Sequence, residues 1–262
     1  MSRRAALFSS AVEVDHEVVP FSRKKKEKAA PSPAKAAKAV APKVKVDNFK
    51  LMEVKPLTEG QRQMMFAFKQ GVNVVASGSA GTGKTFTASY LALEKLLAKD
   101  TTKIVVVRSA VSIRSQGHLP GTQAEKEAIY TVPYKNIVNQ LLQCGTAWDS
   151  LTKSGMIEFT TTTYIRGLTF DNCVVIIDEF QNMDSSEMES VLTRLGENTQ
   201  VIICGDTRQN DLNRKREISC HGWLVKLSKA LPKYFDVVEF TSEDIVRSKI
   251  CKAIIKAIES IG

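Results

Sequence analysis

The sequence predicts an α/β fold: a mostly parallel sheet with helices on both faces, preceded by a disordered basic tail. Three observations carry this expectation. Four short runs, at residues 72–78, 103–109, 172–178 and 199–206, are almost uninterrupted apolar and β-branched residues. Strands that read as continuous apolar runs, rather than alternating ones, are those buried on both faces of a parallel sheet. Helical patterns separate the runs, as βαβ units require. The first run also ends in a glycine-rich stretch that opens directly into a helical pattern.

Taken in order, residues 1–56 hold 13 Lys and Arg against 6 Asp and Glu, and so carry most of the net charge of +9. The stretch FSRKKKEKAAPSPAKAAKAVAPKVK at 21–45 has almost no large apolar residue. Such a segment cannot bury enough surface to offset its chain entropy and is expected to be disordered. A basic tail can hold polyanions by releasing their counterions, or can simply be a solvated extension. The folded part is expected over residues 57–262. There, residues 59–70 read as a helix ended by Gly71, 72–78 as a strand, and 84–98 as a Leu-rich helix. A strand at 103–109 leads into a polar stretch with helices near 122–130 and 134–144. The strand at 172–178 precedes a helix at 184–195, with Asp184 as N-cap and Glu187 three residues on, a capping-box spacing. A strand at 199–206, a helix near 221–230, a strand at 236–240 and a helix at 243–260 finish the chain.

Composition narrows the function classes. The chain has 262 residues, 43% of them hydrophobic, enough to bury a sizeable core. No apolar run reaches the roughly 18 residues of a membrane-spanning helix, and the N-terminus lacks the apolar stretch of a signal peptide. Cys144, Cys173, Cys204, Cys220 and Cys251 are odd in number and contain no CxxC pair, which argues against a disulfide framework or a zinc site. A reducing cytoplasm fits these features.

The chemistry is concentrated at three strand ends. Gly78-Ser79-Ala80-Gly81-Thr82-Gly83-Lys84-Thr85 fits G-x-x-x-x-G-K-[ST] at every fixed position, with a strand before it and a helix after it, and these residues together with Phe86 are the candidates for binding the nucleotide. Glycines there let successive backbone N–H groups turn in around a phosphate, and the following helix presents its positive end. Lys84 is placed to reach the β- and γ-phosphates, and Thr85 to put its hydroxyl on Mg²⁺. The run Val174–Ile177 then delivers Asp178 and Glu179 to the ligand edge of a parallel sheet. Asp178 is the candidate for holding hydrated Mg²⁺, and Glu179 for polarising an attacking water. At the third end, Gly205-Asp206-Thr207-Arg208-Gln209 reads either as a plain turn or as a sensor, with Gln209 reaching the γ-phosphate.

The phosphate loop, DEFQNM, LTRLG and GDTRQNDL, in this order, resemble the PhoH-like family of P-loop ATPases, which is similar to the first motor domain of superfamily 1 helicases. VRSAV at 107–111, GHLPG at 117–121, YIRGLTF at 164–170 and DIVRS at 244–248 add to the resemblance, which covers roughly residues 57–258. It implies a RecA-like fold, hydrolysis of ATP with Mg²⁺, and action on single-stranded nucleic acid, RNA rather than DNA. Gln61 resembles the glutamine that contacts adenine in such motors, and Gln209 the one that couples the γ-phosphate to the nucleic-acid face. The sequence departs from the family at Phe180, where Ala is usual, and after Arg247, where His often follows. No PIN-type ribonuclease domain is expected in residues 1–56, so no nuclease activity is expected.

A γ-phosphate in flight needs positive charge beyond Lys84 and Mg²⁺. Arg108, Arg166, Arg194 and Arg247 are the candidates. Arg247 is read as the finger and Arg166 as an interface or nucleic-acid contact, with a structural salt bridge the plain alternative for both. A lone motor domain offers one wall of an ATP site. The sequence therefore suggests a head-to-tail ring, a homo-hexamer, with Arg247 completing a neighbour's site. A nucleotide-gated scaffold with slow turnover and a protein partner is the competing reading. A small-molecule kinase is a third, against which the Asp-Glu-x-Gln run and GDTRQ both count.

Overall fold

A computed structural model describes residues 46–109, 123–206 and 220–261. The tail expected over residues 1–56 falls outside them except for its last part. From Phe49 on, that part already lies on the domain. Phe49, Leu51, Met52 and Val54 pack on the core, and the Met52 amide donates to the Leu141 carbonyl at 2.8 Å. The compact unit therefore starts before residue 57.

Six strands form one sheet: β1 (Asn73–Gly78), β2 (Lys103–Arg108), β3 (Ile157–Thr161), β4 (Cys173–Asp178), β5 (Gln200–Gly205) and β6 (Phe235–Phe240). The order is β3-β2-β4-β5-β1-β6, and every pairing is parallel. The doubly covered sheet expected from the apolar runs is the one observed. Successive residues alternate between two cores, as a pleated strand requires. Ile104, Val106, Val174 and Ile176 face one side, under α1 (Glu59–Lys69), α2 (Lys84–Ala98), α3 (Gln123–Leu141) and α4 (Ala147–Lys153). Val105, Val107, Val175 and Ile177 face the other, with Met188 and Val191 of α5 (Ser185–Leu192) and Leu224 of α6 (His221–Ala230). The last helix, α7 (Lys249–Ile261), buries no residue.

Local chemistry explains the helix ends that frame the site. Thr58 caps α1, its hydroxyl accepting from the Gln61 amide, and Asp184 caps α5 in the capping box that its spacing with Glu187 anticipates. By contrast, α2 has no side-chain cap; it starts at Lys84 straight after Gly83, whose φ of 83° is left-handed. Its first N–H groups have no capping side chain and face the phosphate loop.

The structure differs from the sequence expectation at four places, the first being α4 (Ala147–Lys153), where the sequence reading has no helix. Residues 123–141 form one helix instead of two, running through Pro133. Edge strand β3 is an additional element; its IEFTT sequence is too short and too polar to stand out from the loop around it. Residues 242–244 form a separate 3₁₀ turn, so the last helix begins at Lys249.

Candidate nucleotide site

All parallel strands point their C-terminal ends at one edge, and the chemistry-bearing residues collect there. Gly78 ends β1 at a φ of 128°, and a Cβ on it would fall 1.9 Å from the Phe240 carbonyl oxygen. Only glycine lets the loop leave β1 this close to β6. The Ser79 amide then donates to the same Phe240 oxygen at 3.0 Å, pinning the start of the loop.

Lys84 curls back into the loop. Its ammonium donates to the Gly78 and Ser79 carbonyls at 2.9 and 2.7 Å and to the Thr82 hydroxyl at 3.3 Å. Burial lowers its pKa, opposed by the negative potential of the site, Asp206, Asp178 and Glu179 included. Gln61 braces the loop from α1: its Nε2 donates to the Thr82 carbonyl at 2.9 Å, while its Oε1 accepts from the Leu57 amide at 2.9 Å.

Asp178 is held at both oxygens. The Thr85 hydroxyl donates to Oδ1 at 3.0 Å and the Tyr134 phenol to Oδ2 at 2.7 Å. Asp178 also stands opposite Arg108 in the β2–β4 register. Arg108 loses stability as a cation through burial, but Tyr134, Asp178 and Glu179 outweigh that and raise its pKa. Its guanidinium lies 5.7 Å from the centre of the Tyr130 ring, a cation–π distance. Tyr134 itself keeps its proton, since burial and then Asp178 raise its pKa well above the ordinary phenol value.

Glu179 sits just past the strand at a φ of 56°, a left-handed conformation that non-glycine residues rarely adopt. Burial and then the neighbouring Asp178 raise its pKa; Arg108, Gln181 and Lys84 pull the other way. The Gln181 amide donates to the Glu179 carboxylate, and its oxygen accepts from the Asp206 amide at 2.9 Å. Gln181 thus ties the end of β4 to the end of β5. Gly205 makes that approach possible, because a Cβ there would fall 2.5 Å from the Gln181 oxygen and from the Phe180 ring.

Gln61, Lys84, Thr85, Asp178, Glu179, Gly205 and Asp206 line one cleft of about 660 Å³. Of the residues expected from sequence, the structure brings together Gln61, Ala80, Gly81, Thr82, Gly83, Lys84, Thr85, Phe86, Asp178, Glu179 and Arg247. Gly78 and Ser79 form the start of the loop behind it. Arg247 reaches the cleft of its own chain. Its stem lies against Gly81, where a Cβ would be 2.9 Å from Arg247 Cγ, and the Val246 amide donates to the Gly81 carbonyl at 3.1 Å. Arg247 thus lines the cleft of its own chain, beside Gly81. Arg166 is exposed in the loop after edge strand β3 and does not line the cleft. Gln209 lies outside the described residues, as does the GHLPG stretch.

The sequence reading places neither Tyr134 nor Glu259 at the site. Glu259 of α7 accepts a 2.6 Å hydrogen bond from the Ser79 hydroxyl, and Ile255 lies over Gly81. Neither residue belongs to a recognisable motif.

The donor set at the Thr85–Asp178 pair is a hydroxyl and a carboxylate, hard oxygens side by side next to a phosphate loop. That chemistry fits Mg²⁺, which takes one or two protein ligands and completes its shell with water and phosphate. Thr85 and Asp178 would hold it.

Comparison with known proteins agrees with this geometry. The family described as PhoH-like protein matches residues 53–259. Protein PhoH of Escherichia coli K12 is 37% identical over 206 residues, covering 76% of this chain and 56% of that protein. The PhoH-like protein of Bacillus subtilis is 34% identical over 214 residues, covering 80% of this chain and 65% of that protein. The chain thus spans somewhat over half the length of these relatives. Among solved structures, a Sulfolobus solfataricus SWI2/SNF2 ATPase core in complex with dsDNA covers 74% of this chain and 47% of its own at 13% identity and a TM-score of 0.43. The Pif1 helicase of Candida albicans covers 72% and 40% at 17% identity and a TM-score of 0.37. These likenesses are too loose to bear on function. The match over residues 53–259 and the identity to the bacterial relatives do decide the family: this chain belongs to the PhoH-like proteins.

Proposed function

We propose that this chain is a Mg²⁺-dependent ATPase whose turnover is coupled to single-stranded nucleic acid, RNA rather than DNA. The observation that carries the reading is the convergence of Lys84, Thr85, Asp178 and Glu179 in one cleft beside a phosphate loop. ATP would place its phosphates in the loop, and Lys84 would exchange its carbonyl partners for phosphate oxygens. Val54, Leu57 and Val246 give the cleft an apolar rim suited to a base. Bound Mg²⁺ supplies charge neutralisation on the β- and γ-phosphates. Glu179 takes the proton of a water attacking the γ-phosphorus as the bond to the β-phosphate oxygen breaks. Its raised pKa makes it a better base than an exposed carboxylate. Arg247, in cis, adds positive charge at the loop. The nucleic-acid part rests on the family resemblance and on the basic N-terminal segment.

A homo-oligomeric ring, such as a hexamer, is part of the proposal. Among the described residues, two apolar surfaces lie at opposite ends of the strands. Ile250, Ile254, Ile258 and Ile261 form an exposed stripe on α7, beside the phosphate loop. A groove of about 490 Å³ at the start of β1 and β6 is lined by Leu192, Trp223, Leu227, Leu231 and Tyr234. A ridge at one end and a groove at the other suit a repeated head-to-tail contact. The contact of α7 with Ser79 also favours the second reading, a nucleotide-gated switch that hydrolyses slowly.

The deciding measurement is ATP turnover with and without single-stranded RNA and DNA, alongside the mass in solution by light scattering. RNA-stimulated turnover that Lys84→Ala abolishes supports the motor. Turnover indifferent to every nucleic acid would leave the switch. Wild-type turnover in Lys84→Ala would remove the whole reading.

A further inference from the structure

We infer that Tyr134 is a positioning residue for the Mg²⁺ site, fixing the Asp178 carboxylate through its phenol hydrogen bond. The inference rests on the proposed ATPase reading. Tyr134 lies on α3, far from the phosphate loop in sequence, and is 2% exposed. Its ring packs in the core and tilts against Phe159 at 5.9 Å between centres. A phenylalanine would satisfy that packing. The hydroxyl adds a buried polar group that needs a partner, and Asp178 Oδ2, at 2.7 Å, is that partner.

The consequence is rotational. Asp178 is 5% exposed, and its two oxygens have different jobs. Oδ1 faces Thr85, the other oxygen donor for the ion. Oδ2 is turned away, toward α3, and is occupied by the phenol. With both ends fixed, the carboxylate cannot rotate away from Thr85, and it presents a single oxygen to the ion and its waters. Hydrogen bonds of this supporting kind are worth about 10- to 100-fold in metal affinity. Tyr130, one turn earlier on the same helix, lies against Arg108, the register partner of Asp178. One face of α3 therefore holds both members of the Arg108–Asp178 pair.

The test is Tyr134→Phe in the full chain, with fluorescent ADP bound in Mg²⁺ and in EDTA. The readout is the ratio of the two affinities, which needs no turnover. The expected result is a drop of about tenfold in the Mg²⁺-dependent gain, with affinity in EDTA unchanged. The half-saturating Mg²⁺ for turnover rises, and the KM for ATP at saturating Mg²⁺ stays near wild type. Asp178→Asn should abolish the gain, and adding Tyr134→Phe to it should change nothing more, because the tyrosine acts through the aspartate. An unchanged ratio in a folded Tyr134→Phe protein overturns the inference, and so does an equal fall of the affinities in Mg²⁺ and in EDTA. Where Tyr134→Phe proves unstable, the ratio is read at a temperature at which circular dichroism shows it folded, with Phe159→Leu, which loosens the packing against the same ring and leaves the phenol in place, as the control expected to keep the wild-type ratio. A wild-type protein with no Mg²⁺-dependent gain at all would instead refute the ATPase reading.

Discussion

Gln61→Ala separates two roles for a glutamine whose polar atoms are both engaged within the chain. The resemblance to helicase motors implies that Gln61 contacts adenine. The structure uses its amide as a brace between Leu57 and the Thr82 carbonyl of the phosphate loop. Gln61 is 5% exposed and Thr82 is fully buried, so truncation strands the Thr82 carbonyl in a poorly solvated place, while the amide of exposed Leu57 loses a part-buried bond. Each lost hydrogen bond is worth about 0.5–1.5 kcal/mol, giving a destabilisation of about 1–3 kcal/mol. For a domain of this size, about 2 kcal/mol lowers Tm by roughly 4–8 °C.

The bracing role also predicts a kinetic pattern. A loosened loop weakens the grip on phosphates, which every nucleoside triphosphate shares. KM should therefore rise by a similar factor for ATP and GTP, with kcat little changed, the mark of lost uniform binding. The assays are denaturant unfolding and steady-state turnover with both nucleotides. Unchanged stability together with a selective loss of ATP over GTP would refute the bracing argument and restore the base contact.

Two further predictions concern titration. Glu179→Gln should bind nucleotide but slow turnover by about 10²–10⁴, the usual worth of a general base. In wild type, the acid limb of the pH–rate profile should lie above the ordinary carboxylate range, because burial and Asp178 raise the Glu179 pKa. A group with a raised folded-state pKa gives stability that is full below its unfolded value and is lost as pH rises through the folded one. Thermal melts should therefore show Glu179→Gln gaining on wild type as pH increases, and a constant difference across pH would count against this environment. Among the cysteines, burial pushes the Cys220 thiol up to about 12 and raises Cys173 and Cys204 as well, while a hydrogen bond from Thr146 lowers half-exposed Cys144. Iodoacetamide at pH 8 should label Cys144 and Cys251 in the native protein and leave the other three for denaturant, as read by peptide mass spectrometry.

What the sequence revealed and what it hid follow from distance along the chain. The phosphate loop is legible because its chemistry is contiguous: the loop, Lys84 and Thr85 lie within eight residues, and the geometry is made by local backbone. Asp178 and Glu179 are legible because a buried apolar strand must end at the ligand edge of a parallel sheet, whichever strands flank it. The other contacts are made by topology. Tyr134 meets Asp178 across 44 residues and Glu259 meets Ser79 across 180. Nothing in the local pattern of α3 separates a tyrosine that packs from one that also aims its hydroxyl at a carboxylate, since both occupy the same core position. The strand β3 escaped for a related reason: at the sheet edge it needs only one apolar face, so IEFTT reads like the loop beside it.

The same reasoning applies to Arg247, whose motif is local and whose placement is not. DIVRS marks Arg247 as a residue of the site, since the motif is local. Whether its side chain serves its own loop or a neighbour's depends on where the segment after β6 lies. That is fixed by the β1–β6 pairing and by the Val246–Gly81 hydrogen bond, and no local pattern encodes either. Arg247 lines its own chain's cleft. The surface next to the phosphate loop is the isoleucine stripe of α7, whose inner face touches the loop through Glu259 and Ile255. A subunit docking on that stripe would press on a helix that rests directly on the phosphate loop. Assembly would then act on turnover through the placement of α7 over Ser79 and Gly81, with every charged group of the reaction drawn from one chain.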